Sequence, residues 1–290
     1  MDTDTSEDTE FVKFWNTVLE PKFTKYRHIL QGGLSRHSAT ALPSLPIKAG
    51  MKVLDVGCGW GDLTLKVAEL VGPEGHVVGI DCVESFLQSG RSDATKKSLE
   101  NVEFRRGDAE VSLPQNEFDY VVARFGTMFF TNPVPALRRM RLALKPGCQM
   151  THIVWRGRSD NPAWEQANII AIRHLPPPSE DADTCGPGPF SMANKDMVTG
   201  QMKSAGFDNI NFLRVDEKIM VGRNSKEAIA FALAIGPAGE VFREAGKELA
   251  EAKRADIEAE MLDFFESLEN DETGVWAPTS SWVISARNPG

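Results

Sequence analysis

From Phe11 to about Leu42 the apolar positions recur at helix spacing, with Phe11, Phe14, Trp15, Val18 and Leu19 on one face. Gly32 and Gly33 interrupt that pattern and predict a break, after which a second, shorter helix runs to the prolines at 43 and 46. From Gly50 the period changes. MKVLDVG (51–57) is a short branched-apolar run ending in glycine, which predicts a buried strand. DLTLKVAELVG (62–72) predicts an amphipathic helix closed by Gly72 and Pro73. The alternation continues with strands at 76–81, 101–109, 118–126 and 148–156, and helices at 83–99 and 132–145. Asn132 is a plausible cap for the latter helix, which has prolines in its first turn.

Strands alternating with helices of this length predict a parallel sheet covered on both faces. Right-handed crossovers put every strand's C-terminal end on one rim, where ligands bind at the point of reversed strand order. Beyond Arg156 the regularity weakens: a helix at 161–175, a proline- and glycine-rich loop at 176–190, a helix at 194–207 and a strand at 209–221. Two further helices follow, at 225–235 and 240–268, and TSSWVISAR (279–287) reads as a closing strand. The implied organisation is an acidic tail (1–10), helices covering the site (11–49), an α/β core (50–222), a helical insertion (223–272) and a final core strand (273–290).

Composition narrows the class. With 290 residues, 41% hydrophobic and 25% charged, the chain can bury a sizeable core and is too apolar to be disordered. No run approaches the length of a membrane span, and the acidic N-terminus is unlike a secretory signal, so a cytoplasmic protein is expected. Cys58, Cys82, Cys148 and Cys185 show neither a CxxC pair nor metal-ligand spacing, which predicts no structural metal. The net charge of −9 argues mildly against a nucleic-acid partner. That argument weakens once the acids are located: twelve acids against four bases lie in 240–272 and five acids in the first ten residues, leaving the rest slightly basic.

The most informative segment is VLDVGCGWGD (53–62), with Gly57, Gly59 and Gly61 between a strand and a helix. Glycine permits the tight turn and lets a ligand approach the backbone, while the following helix N-terminus suits an anionic group. A turn without a ligand would also use glycines. The G-x-G-x-G spacing differs from the G-x-G-x-x-G of dinucleotide sites, and the Gly-Lys-Ser/Thr of a phosphate loop is absent. Asp81 ends the second strand about twenty residues on, where an acid can accept hydrogen bonds from both ribose hydroxyls or cap the next helix. Asp108, followed by Ala109, ends the third strand and can meet an exocyclic amine or simply stabilise a turn. Carboxylates for ribose and amine, without a lysine for phosphate, suit a nucleoside that carries none.

In this order DVGCGWGD, GID, GDA, FDYVVARFG and LKPG resemble the class I S-adenosylmethionine-dependent methyltransferases, nearest the small-molecule branch with the ubiquinone and menaquinone C-methyltransferases. The resemblance is specific over about 50–156 and looser over 189–221. It implies a Rossmann-like doubly wound sheet of seven strands, the last antiparallel, and S-adenosyl-L-methionine as cofactor. Carried onto this chain, Asp55, Gly57, Cys58, Gly59 and Gly61 would hold its methionine end and Asp81 with Cys82 its ribose. Asp108 and Ala109 would flank the adenine, and Arg124 with Phe125 would line the methyl-transfer side. Val83 departs from the pattern, since relatives often carry serine there.

Transfer from a sulfonium is an in-line displacement, so the protein mainly aligns the acceptor, and a base is needed only if the nucleophile must lose a proton. Among the histidines, His37 and His152 are the candidates, although a lone histidine on an apolar element is more often a satisfied structural residue. Met128, Phe129, Trp155, Arg156, Trp164 and Phe190 are expected to line an apolar, aromatic acceptor site, with Arg156 or Arg124 able to hold an anionic substituent. The expected partner is a small-molecule acceptor. A protein or RNA acceptor, a non-catalytic S-adenosylmethionine-binding regulator and a nicotinamide oxidoreductase are the alternatives, the last disfavoured by the glycine spacing. The late helices carry an apolar stripe (Val241, Phe242, Leu249, Ile257, Met261, Phe265, Leu268) suited to a lid or to a homodimer surface.

Overall fold

The computed structural model describes residues 8–178, 188–270 and 273–290. The chain opens with α1 (Glu10–Phe14), a π-helical turn (Trp15–Leu19), α2 (Glu20–Lys25) and α3 (Arg27–Ala41). The alternating core follows: β1 (Lys52–Val56), α4 (Asp62–Val71), β2 (His76–Asp81), α5 (Glu84–Lys96), β3 (Val102–Arg106), β4 (Phe118–Arg124), α6 (Pro133–Ala143) and β5 (Leu144–Trp155). Then come α7 (Pro162–His174), α8 (Lys195–Ser204), β6 (Asp208–Gly222), α9 (Ser225–Ala234), α10 (Pro237–Glu244), α11 (Lys247–Glu266), β7 (Glu269–Asn270) and β8 (Gly274–Arg287).

The sheet runs β3-β2-β1-β4-β5-β8-β6, with β1 to β5 parallel and β8 antiparallel to both neighbours. Strand order reverses between β1 and β4, so their C-terminal ends open the crevice in which this topology holds ligands. The seven expected strands are present, and the two-residue β7 adds an eighth by pairing with β8. Both faces are covered. Val53, Val77 and Tyr120 pack with Leu63 and Val67 of α4 on one side, while Leu54, Val121 and Met150 belong to the larger core on the other.

Several elements depart from the sequence pattern. Gly32 and Gly33 lie inside α3 rather than breaking it; a Cβ at Gly33 would stand 3.3 Å from Ile219, so the glycine serves close packing of α3 on β6. The interruption falls instead at Tyr26, outside helical geometry at φ −104° and ψ 20°. The helix expected over 240–268 divides at Gly246, whose φ of +79° no ordinary side chain favours. Asn132 precedes α6 without a side-chain capping bond. The closing strand starts at Gly274, earlier than its apolar alternation suggests, because β6 pairs with it throughout. Of the loop at 176–190, residues 179–187, with Cys185, lie outside the described residues, as does most of the acidic tail.

α9, α10 and α11 pack on α7. Their apolar stripe is consumed within the chain: Val241, Phe242, Ile257, Met261 and Phe265 are buried, and only Leu249 is prominently exposed. Among the described residues, no helix is long and apolar enough to cross a membrane.

Candidate active site

The turn from β1 to α4 holds three glycines in left-handed geometry, at φ 68° for Gly57, 54° for Gly59 and 80° for Gly61, yet the three are required for different reasons. A Cβ at Gly57 would lie 3.3 Å from the Gly126 backbone, where the turns after β1 and β4 meet. A Cβ at Gly61 would lie 2.5 Å from the Phe104 ring, so that glycine seats α4 against β3. A Cβ at Gly59 would meet nothing within 4 Å, and Gly59 lines the cleft. The amides of Gly57 and Cys58 donate to the Ile80 carbonyl at 2.8 and 3.1 Å, so β2 takes up part of the loop's donor capacity.

Asp81 joins this loop to the next helix. Its carboxylate accepts from the Gly59 amide at 2.8 Å and the Val83 amide at 2.9 Å, tethering the glycine loop to the turn before α5, whose N-cap Val83 has no side-chain capping bond. Burial raises its pKa, opposed by these backbone bonds. Asp108 accepts from the Glu110 amide at 2.8 Å and from the Thr9 hydroxyl at 3.1 Å. Asp81, Cys58, Cys82, Asp108, Ala109, Arg124 and Phe125 line one cleft together. Phe11 and Trp15 of the N-terminal helices roof it, and the Asn16 amide donates to the Cys82 carbonyl at 3.2 Å.

Asp55 and Gly61 stand behind the cleft rather than in its lining. Asp55 is buried; one oxygen accepts from the Thr64 hydroxyl at 2.7 Å and the other has no partner. Burial pushes its carboxyl up to about 7, partly opposed by the Thr64 bond and the Arg124 charge. Arg124 forms a two-point ion pair with Asp62, both contacts at 2.6 Å, and reaches Ser38 at 3.3 Å. Its guanidinium is therefore already engaged.

A second cavity of about 650 Å³ adjoins the cleft, within the range of small-molecule sites. Met128, Phe129, Trp155, Trp164 and Phe190 line it together, along with Phe125. Phe23, Leu34, Phe125 and Phe129 line both spaces and form the boundary between them. Phe125 adopts φ 56°, an unfavourable geometry for a bulky residue. Its ring stacks on Trp155 at 4.1 Å. Arg156 is turned away: it lies 4.1 Å over Trp282 and pairs with Asp160 at 3.1 Å, and lines neither space.

The two candidate bases are also held outside both linings. His37 is fully buried, its ring nitrogens 2.8 Å from the Thr279 hydroxyl and 2.9 Å from the Ser281 hydroxyl, and its edge packs on Phe125 and Trp155. His152 shares a hydrogen bond with Thr127 at 2.9 Å, while its Nε2 is buried without a partner. Burial lowers both to about 4, so both are neutral near pH 7. Among the described residues, no cluster could hold a metal ion.

Sequence reasoning missed Phe23, Leu34 and the α10 contribution because helices distant in sequence supply them. It also missed Asn168, which helix periodicity places one turn beyond Trp164.

A sheet parallel from β1 to β5, with a glycine turn and carboxylates at successive strand ends, defines a nucleoside-binding α/β enzyme fold. Residues 47–169 match the family model described as a methyltransferase domain. The demethylmenaquinone methyltransferase of Listeria monocytogenes is 39% identical over 132 residues, covering 45% of this chain and 55% of that protein. That of Staphylococcus carnosus is 30% identical over 178 residues, covering 58% and 73%. The chain thus belongs to the class I S-adenosylmethionine-dependent methyltransferases, alongside these quinone methyltransferases. It spans about half the length of the Listeria relatives. Solved structures share the fold. The YcgJ protein of Bacillus subtilis superposes with a TM-score of 0.57 at 15% identity, over 88% of this chain and 99% of its own. A phosphoethanolamine N-methyltransferase of Haemonchus contortus, solved with S-adenosyl-L-methionine, does so with 0.57 at 17% identity, over 100% and 62%.

The residues present fit S-adenosylmethionine, the cofactor of this family. The cleft offers a half-buried carboxylate at Asp81, an open approach at Gly59 and apolar walls at Phe125 and Phe129.

Proposed function

We propose that this chain transfers a methyl group from S-adenosylmethionine to O, N or C of a small, apolar or aromatic acceptor, acting in the cytoplasm. The observation that carries this reading is the apolar boundary of Phe23, Leu34, Phe125 and Phe129 between the cleft at the strand ends and an aromatic cavity. The bound cofactor supplies an electrophilic methyl on a positively charged sulfonium. Asp81 holds the ribose, Asp108 and Ala109 border the adenine, and Gly57, Cys58 and Gly59 receive the methionine end, with Cys82 beside the ribose. Asp55 and Gly61 act from behind by fixing the loop, and Arg124, in the cleft lining, is held there by its ion pair with Asp62.

Phe125 and Trp155 form a flat, rigid platform that orients the acceptor, and the apolar walls exclude water. Alignment of this kind supplies on the order of 7–11 kcal/mol of a barrier. Neither His37 nor His152 is assigned as a base, since both are committed to hydroxyl partners away from the cavities. Because the stripe of the late helices is spent internally and α10 contributes Pro237 and Glu240 to the cavity lining, we assign these helices as a lid rather than a dimer face. Cys58, Cys82 and Cys148 are free thiols, which suits a reducing compartment. A walled apolar cavity favours a small molecule over a protein or RNA acceptor.

The test incubates the protein with methyl-labelled cofactor and a metabolite extract. Label in a small apolar product supports the reading; label only in protein or RNA overturns it.

A further inference from the structure

The glycine loop has few donors left for an anionic ligand. The amides of Gly57 and Cys58 donate to the Ile80 carbonyl, that of Gly59 to Asp81 at 2.8 Å and that of Gly61 to the Cys58 carbonyl at 3.0 Å. Asp62, the first residue of α4, already sets a carboxylate at that helix N-terminus, and its two-point ion pair takes up the Arg124 guanidinium. A ligand carboxylate settling against this loop needs a donor from elsewhere, because a carboxylate taken out of water without hydrogen bonds is costly.

Helix α3 crosses the loop and can supply one. Arg27, at its start, lies 5.4 Å over the Trp60 ring, and Ser38, about three turns on, meets Arg124 at 3.3 Å. Gln31 stands between these two contacts and lines the cleft. Its orientation is fixed: Arg27 Nε donates to Gln31 Oε1 at 3.1 Å. A guanidinium can only donate, so the amide oxygen faces Arg27 and the NH2 group faces away from it. Arg27 is itself anchored to Asp93 of α5 at 3.3 Å. The Gln31 side chain makes no second hydrogen bond among the described residues, which leaves its two N–H donors for the cleft.

We propose that Gln31 is a further cofactor-binding residue, whose amide donates to the methionine carboxylate of S-adenosylmethionine, and that Arg27 is the positioning residue that aims it. The carboxylate only accepts and the NH2 group only donates, so the two are complementary. The bond from Arg27 polarises the amide and strengthens it as a donor. The N-terminal helices thereby recognise the amino-acid end of the cofactor, and the site distinguishes it from nucleosides that lack that end. This inference rests on the proposed methyl transfer and adds a residue to its cofactor site.

The test uses two ligands. S-adenosylhomocysteine keeps the amino-acid end, whereas 5′-methylthioadenosine keeps the nucleoside and lacks it. Calorimetry measures both on the wild type, Gln31→Leu, Gln31→Glu and Arg27→Met. In Gln31→Leu the affinity for S-adenosylhomocysteine should fall at least tenfold, the size of a hydrogen bond to a charged group, with that for methylthioadenosine held within about twofold. Gln31→Glu keeps the shape and the contact with Arg27 but replaces the donor by a carboxylate, so its loss should be at least as large and equally confined to S-adenosylhomocysteine; it serves alone should Gln31→Leu not fold. Arg27→Met should show a smaller loss with the same selectivity, whereas a merely structural arginine would weaken both ligands alike. Unchanged affinity for S-adenosylhomocysteine in the Gln31 variants, or an equal loss of both ligands, overturns the proposal while leaving the methyltransferase reading intact. A wild type that binds neither ligand overturns that reading as well.

Discussion

Replacing Gly59 and Gly61 separately by alanine should separate ligand binding from packing within one motif. Both occupy left-handed geometry, which costs an L-residue about 1–2 kcal/mol. At Gly59 nothing further is added, because a Cβ there meets no atom within 4 Å. At Gly61 the Cβ would stand 2.5 Å from the Phe104 ring, which itself packs on Gly90, so the ring has little room to retreat. Overpacking of that kind adds about 1–3 kcal/mol. Gly61→Ala should therefore lose about 2–5 kcal/mol, a fall in Tm on the order of 5–15 °C for a chain of this size, with the folded fraction keeping its cofactor affinity to within a few fold. Gly59→Ala should lose only a few degrees but weaken cofactor binding at least tenfold, because its methyl enters the ligand's space. Thermal unfolding with calorimetry in parallel measures both. Wild-type affinity in Gly59→Ala, or a Gly61→Ala protein as stable as the parent, would refute the division of roles.

His37 and His152 are held near pKa 4 against an ordinary value of 6.5, so the stability they confer is complete above pH 6.5 and is lost as pH falls toward 4, about 3 kcal/mol for each. Asp55, raised to about 7, works in the opposite sense; urea unfolding across pH 4–7 should show a net acid loss that His152→Gln reduces. Arg124→Met should cost about 3 kcal/mol by stranding the Asp62 carboxylate, and adding Asp62→Asn should recover part of that loss in thermal unfolding.

The cofactor half was legible in sequence because its requirements are local. A branched-apolar strand, a turn that needs positive φ and an acid at the next strand end each leave their mark within a few residues. The pattern could not distinguish Gly59 from Gly61, since that difference lies in Phe104, more than forty positions away. Gly33 was misread for the same reason: alone it resembles a helix breaker, but against Ile219 it is a packing contact. Arg156 looked free to bind an anion until Trp282, on a strand more than a hundred residues later, took it up. His37 likewise found its partners in Thr279 and Ser281 of the last strand. The aromatic candidates do share one cavity lining, because several sit at or just beyond the ends of β4 and β5, where topology alone directs residues toward the crevice.

The most direct test of the central claim is calorimetry with S-adenosylmethionine and, separately, NAD, on the wild type and on Asp81→Ala. Binding of S-adenosylmethionine but not NAD, weakened tenfold or more in the variant, is the predicted result; no binding of S-adenosylmethionine, or equal affinity with and without the Asp81 carboxylate, would contradict it.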